Sequence, residues 1–247
     1  MLELVNRDRR AAGLEPVEWD ETAALAAQQH AEEMAVNGYL RHWDLMGRGP
    51  EYRYWLVGGR DAVWENVYSY YQRYVNGGAV PIADWEGAMA RAENTLMNSL
   101  AHRENILQSS HTHVGIGIAY EPERGELRIA QEFIDRYVVV ESVSEQVSWG
   151  ETIEVSGRVL AGASSPLINL AYESFPEPMT VDALNATGHY ASAAEVYQAL
   201  NPDVSGDRFW FTTALGSADK PGLYEVRIWV AHSGEQVLAS QLFFEVH

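Results

Sequence analysis

The chain has 247 residues, no cysteine, and 17 basic against 35 acidic side chains, a formal net charge of −18 with a pI near 4.7. That balance argues against nucleic acid and anionic lipid as partners, because both require a basic face. Without thiols there is no disulfide framework, thiolate metal site or cysteine nucleophile, and no run approaches the roughly 18 apolar residues of a transmembrane helix.

This length fits one or two domains, and 47% hydrophobic residues are enough for a packed core. The chain opens on MLELVNRDRR, already helical in pattern. An upstream export segment, removed and replaced by Met1, is therefore expected. Leu2, Val5 and Arg9 to Ala12 predict a helix that stops at Gly13. In EWDETAAL, Asp20 stands where an N-cap belongs, and the helix it opens should run to Asn37 with Gly38 as a left-handed terminator. His30, in QQHAEEM, reads as structural or solvated. The tyrosines at 52, 54, 68, 70, 71 and 74, with Trp55, read as core filling; a carbohydrate or lipid contact surface is the alternative.

Asp84 caps a third helix in which Trp85, Met89, Ala92 and Leu96 follow helical spacing. Glu93 falls inside its apolar stripe, beside Met89, Leu96, Met97 and Leu100. A carboxylate so placed is partly desolvated and needs a partner; the alternative is a stripe-edge glutamate that reaches solvent or an arginine. At the expected exit of this helix stands NSLAHRENIL. There His102 is read as facing inward, Arg103 and Glu104 as anchors of the exit, and Asn105 as satisfying loop carbonyls or amides.

His111 and His113 are read as a loop entering a strand, with a metal pair as the lesser alternative. Val114, Ile116 and Ile118 then alternate with Gly115, Gly117 and Ala119, and a turn around Glu123 to Gly125 leads to a second alternating run through Phe133. This is a β-hairpin whose glycine face lies against another backbone or helix. The first half is therefore α+β, helices on a small sheet.

From Val138 onward the pattern is strand-like, so the domains are placed at 1–137 and 138–247. Strands are expected near Thr152 to Leu160, Leu167 to Ser174 and Phe209 to Thr213. A closing hairpin pairs Tyr224, Val226, Ile228 and Val230 with Leu238, Leu242, Phe244 and Val246 across AHSGE. That count suits an Ig-like β-sandwich of about 100 residues. Ala191 to Leu200 is open between helix and strand. His189, His232 and His247 are scattered, so this half is read as an accessory or adhesion module on fold analogy alone.

In order and spacing, LVNRDRRAAGLEPVEWDETAALAAQQHAEEMAVNGYLRHWD, WENV, MNSLAHRENIL and HVGIGIAY resemble the CAP superfamily of cysteine-rich secretory, antigen-five and pathogenesis-related proteins, in its cysteine-free bacterial form. The resemblance implies a three-layer α-β-α sandwich, a secreted or cell-surface location, and a cleft lined by two histidines and two glutamates. Matched residue by residue, these are His42, Glu65 and His102, with Glu93 from its helical phase as the second glutamate and Glu86 in reserve. Trp64 stands where the family usually has glycine, and the tryptophan it commonly carries near Leu96 is absent.

Two imidazoles and two carboxylates suit a divalent ion, Zn²⁺ or Ca²⁺, with His42 and His102 as ligands and Glu65 and Glu93 as ligands or as acceptors of the second ring N–H. The expected function is therefore a cleft that binds a divalent ion and/or a small, lipid-like or cell-envelope ligand, with no organic cofactor. One alternative is a hydrolase of cell-envelope or peptide substrates in which an ion or a His–Glu pair activates water, any of the four residues being catalytic. A purely structural network is another. No G-x-S-x-G elbow is present, so a serine-nucleophile enzyme has no support.

Overall fold

A computed structural model describes residues 1–74, 76–143, 150–192, 194–215 and 220–247. These residues form two compact units: Met1–Val57 with Val63–Ile134 and Glu177–Tyr190, and Gly58–Ala62 with Asp135–Pro176 and Ala191–His247. The main passage between units is at Ile134–Asp135, and two short segments belong to the unit opposite to their sequence neighbours.

In the first unit, α1 (Leu2–Ala11) leads through β1 (Glu18–Trp19) to α2 (Glu21–Asn37) and α3 (Pro50–Leu56), then β2 (Ala62–Tyr71), α4 (Trp85–Asn98), α5 (Leu100–Ile106), β3 (His113–Glu121) and β4 (Glu126–Asp135). The caps read from the sequence are present. Asp20 accepts from the Ala23 N–H at 2.7 Å, and Asp84 from the Gly87 N–H at 2.8 Å. Gly38 closes α2 at φ 72°, where a side chain would be strained.

The four strands order as β1-β3-β4-β2, with β3 and β4 antiparallel and β1 parallel to β3. Because strand side chains alternate between faces, the sheet has two distinct sides. Leu127, Ile129 and Phe133 pack with Val5, Ala92, Leu96 and Ile106 from α1, α4 and α5. On the opposite side, Ala130 and Val67 pack with Ala27 and Met34 of α2, and Ile134 and Val63 with Ala23 and Ala26. Helices on both faces of a sheet make the α-β-α sandwich.

The alanine-rich face of α2 lies directly on the glycine face of β3. A methyl group added at Gly115 would meet the backbone of Ala23 and Ala24, and one at Gly117 the backbone of Ala27. Close approach, not turning, is why glycine stands at both positions.

The second unit is all-β. Its strands are β5 (Val138–Val143), β6 (Thr152–Val159), β7 (Ala163–Glu173), β8 (Glu195–Leu200), β9 (Asp203–Ser205), β10 (Arg208–Ala214), β11 (Gly222–His232) and β12 (Glu235–Val246). They form two four-stranded sheets, β5-β6-β10-β9 and β12-β11-β7-β8. Ser233 and Gly234 both have positive φ and make the tight turn of the closing hairpin. Ala191 to Leu200 ends in the strand β8. Between β7 and β8 the chain carries α6 (Val181–Ala186), which belongs to the first unit.

One local reading is corrected. The third helix does not continue through His102. It stops at Ser99, whose extended backbone (φ −92°, ψ 125°) separates α4 from α5, so HRENI sits on a short helix of its own.

Candidate functional site

Glu65 is the centre of a buried charged cluster on the α2 side of the sheet. Its side chain is fully buried on β2, and His42, in the loop after α2, donates from Nδ1 to Glu65 Oε1 at 2.9 Å. The other oxygen accepts from Arg53 Nη2 of α3 at 2.5 Å. Arg53 also donates to the carbonyls of His42 at 2.6 Å and Arg48 at 3.0 Å. One guanidinium thus holds the carboxylate and the loop that carries the histidine.

Burial alone would raise the Glu65 carboxyl. The adjoining Arg53 charge, then His30 and the His42 hydrogen bond, outweigh it and hold Glu65 below the usual carboxylate range. The ionised acid accepts from Nδ1 of His42, so in the neutral ring the lone pair lies on Nε2.

Two further members lie beneath. His30 of α2 is buried, donates from Nε2 to the Arg41 carbonyl at 2.8 Å, and is 3.9 Å from Glu65. Burial and then the Arg53 charge push it down to about 4, so it is neutral. Glu132 of β4 is wholly buried, 3.9 Å from Arg53, and neither of its oxygens has a hydrogen-bond partner among the described residues. Burial, with the Glu65 charge next, drives it well above the normal range, which Arg53 only partly offsets. Arg53 is thereby shared by one ionised and one protonated acid. A cavity of about 130 Å³ borders His30 and Arg53.

His102 of α5 is half-buried, and burial, with a smaller contribution from neighbouring His42, lowers its ring below the ordinary value. It makes no hydrogen bond to any described residue through its side chain. The position of α5 is fixed from below by Arg9, wholly buried, which donates to the carbonyls of Glu15 (3.0 Å), Ile106 (2.8 Å), Gln108 (2.9 Å) and His111 (3.2 Å).

Glu93 does not join this cluster. It is buried as its helical phase requires, but on the α4 side of the sheet, at the end of a chain of side-chain amides. His111 Nε2 donates to Asn105 Oδ1 at 3.0 Å, Asn105 Nδ2 to Asn66 Oδ1 at 3.0 Å, Asn66 Nδ2 to Gln131 Oε1 at 3.2 Å, and Gln131 Nε2 to Glu93 Oε2 at 2.9 Å. Each member donates in the same direction, so the bonds polarise one another. Burial raises Glu93 to about 7 despite the Gln131 bond. Asn105 therefore bonds side chains, not loop backbone, and His111 stacks on Phe133 at 5.0 Å between centroids. Glu86, the reserve, is exposed in the first turn of α4.

Sequence reasoning passed over Arg53, Glu132 and Arg9 and discounted His30. Glu132 had a signal: it shares a strand face with Ala130 and Ile134, where a charge is out of place. The tyrosines divide. Tyr52, Tyr54 and Tyr68 are buried, whereas Tyr71 and Tyr74 are exposed.

Residues 2–141 match the profile of CAP, the cysteine-rich secretory protein family. The chain belongs to this family. Among curated CAP relatives it is 28% identical over 117 residues to the uncharacterized protein YkwD of Bacillus subtilis (strain 168), covering 47% of this chain and 40% of that protein. It is 30% identical over 118 residues to the uncharacterized membrane protein YlbC of the same organism, covering 48% and 30%. The chain thus spans less than half the length of these relatives. Similar solved structures include an extracellular protein containing an SCP domain from Bacillus anthracis str. Ames (24% identity, TM-score 0.43, 55% of this chain and 39% of that one). Another is an outer surface protein of Borrelia burgdorferi (16% identity, TM-score 0.44, 55% and 90%).

Proposed function

We propose that this CAP protein is a secreted or cell-surface binding module in which His42 and His102 present imidazole nitrogens to a divalent ion, with Glu65 orienting His42. The observation that carries this reading is the 2.9 Å bond from His42 Nδ1 to a buried carboxylate, which leaves Nε2 as a donor of fixed direction. Lowering of His102 below its ordinary value supports it, since only a neutral ring binds metal. Both Glu65 oxygens are engaged and Glu93 lies across the sheet. Among the described residues no group of three or more His, Asp or Glu is placed to hold an ion.

The protein would thus offer two nitrogens to an open, weak site. Imidazole ligation favours Zn²⁺ over Ca²⁺, which takes six or more oxygens. A bound ion would supply a Lewis acid for an oxygen-bearing ligand. The cleft's ligand is then a small, lipid-like or cell-envelope molecule, and the all-β unit is an Ig-like adhesion or spacer module. Calorimetric titration with Zn²⁺ tests this: binding should vanish in His42→Ala/His102→Ala and weaken about 10–100-fold in Glu65→Gln. Unchanged heat in the double variant would place any ion elsewhere.

A second reading, a hydrolase, draws on the same geometry, because Arg53, Glu65 and His42 form the orienter and base of a proton-abstracting pair. Turnover of an ester, peptide or peptidoglycan library, lost in Glu65→Gln at retained stability, would favour it.

A further inference from the structure

The family match ends at residue 141, yet the first unit contains a segment from beyond it. Glu177–Tyr190 is an excursion between β7 and β8. Within it, α6 places Leu184, wholly buried, in the core formed by Ala27, Met34, Tyr39, Val67 and Ala130.

The segment is tied to the residues that flank His42 in sequence. Arg41 donates from Nε to the Leu184 carbonyl at 2.9 Å and from Nη2 to the Asn185 carbonyl at 2.7 Å, capping the last turn of α6. The Met179 N–H donates to the Leu45 carbonyl at 2.8 Å. Tyr190 then comes to the histidine itself. Its ring is 5.5 Å from His42 and 4.8 Å from Trp43 between centroids, and its hydroxyl donates to Glu51. A methyl group at Gly49 would collide with that hydroxyl, so the glycine leaves room for it.

Docking of the segment is the work of Leu184 with Met179 and Val181. Tyr190 is held separately, by a carboxylate and an aromatic neighbour, against a ring whose side chain keeps only 25% of its exposure.

We infer that Tyr190 is an access-determining wall of the His42 site, so that this site is composite. The family region supplies the imidazoles, and a segment outside it decides from which side a ligand reaches His42. This rests on the proposed function only in taking His42 as the ligand-binding group.

Carbethoxylation by diethyl pyrocarbonate, mapped by mass spectrometry on the full chain, tests it. In Tyr190→Ala the rate at His42 should rise about tenfold, as expected when a covering group is removed from an otherwise intact fold. Tyr190→Phe, which keeps the ring and removes the hydroxyl bonded to Glu51, should stay within about threefold of wild type. His247, exposed, calibrates intrinsic reactivity, and His30, buried, reports unfolding. Should Tyr190→Ala expose His30, Tyr190→Leu takes its place, with the same rise expected at His42. An unchanged His42 rate with His30 still protected overturns the inference. Absence of Zn²⁺ binding with the acylation pattern intact would refute the metal reading and leave the wall standing.

Discussion

Glu65 and Glu93 are both buried, but they lie on opposite faces of one four-stranded sheet. Glu65 bonds His42 and Arg53 on the side of α2, whereas Glu93 bonds Gln131 on the side of α4. The sides follow from alternation, because Asn66, next to Glu65 on β2, bonds Gln131 and so faces the other way. One carboxylate therefore orients a histidine, and the other terminates an amide chain. Their replacements should have different consequences.

Arg53 is the only guanidinium bonded to Glu65 among the described residues, so its loss leaves a buried carboxylate unpaired. Arg53→Met should destabilise the protein by about 3–5 kcal/mol in urea unfolding at pH 7. Adding Glu65→Gln should restore part of that, giving a double variant well short of additive. Strict additivity would mean the two side chains do not act as a pair.

Glu93→Gln should change how stability depends on pH. A carboxyl raised to about 7 keeps its proton in the folded state while the unfolded chain releases it near 4.5. Its contribution is fully present below about 4.5 and is lost as pH rises to about 7, amounting to roughly 3 kcal/mol. Glutamine keeps the shape and cannot ionise. The variant should match wild type near pH 4 and exceed it by about 3 kcal/mol at pH 8. Glu132 has the same sign and should still leave some decline on the alkaline side. His30 and Glu65 have the opposite sign: His30 is lowered to about 4, so its contribution is present above 6.5 and falls away as pH drops through about 4. Chemical denaturation across pH 4 to 8 reads both limbs, and parallel profiles for wild type and variant would show that burial does not raise Glu93 above its unfolded value.

Gly115→Ala should cost about 1–3 kcal/mol, the usual penalty for overpacking. Here the added methyl meets helix backbone and not a flexible side chain. Gly13→Ala, at a positive φ with open space around it, carries backbone strain alone and should cost about 1 kcal/mol. If Gly115→Ala proved the milder of the two in thermal unfolding, the close seating of α2 on β3 would be wrong.

Much of this was legible in the sequence, for local reasons. Asp20, Asp84 and Gly38 mark helix ends by their own chemistry, and the Gly115 and Gly117 alternation announced a strand with a bare face. His42, Glu65 and His102 stand in motifs that a resemblance could carry. Helical phase put Glu93 in the interior, but it cannot say which face of the sheet the helix will cover. Arg53 and Glu51 were passed over because α3, PEYRYWL, spans only 7 residues and shows no periodicity long enough to read. The Tyr190 contact joins residues more than a hundred positions apart through a segment that reads as part of the second half. Nothing local to either partner records it.

On the proposed function, His42, held by Glu65, offers Nε2 to a divalent ion together with His102. Imidazole nitrogen NMR on the full chain, recorded during Zn²⁺ titration, tests it most directly. The account predicts that His42 carries its proton on Nδ1 before any metal is added. Zn²⁺ should then shift His42 Nε2 and one His102 nitrogen together while His30 stays unmoved. A proton on Nε2 of His42, or Zn²⁺ shifts confined to other histidines, would contradict it.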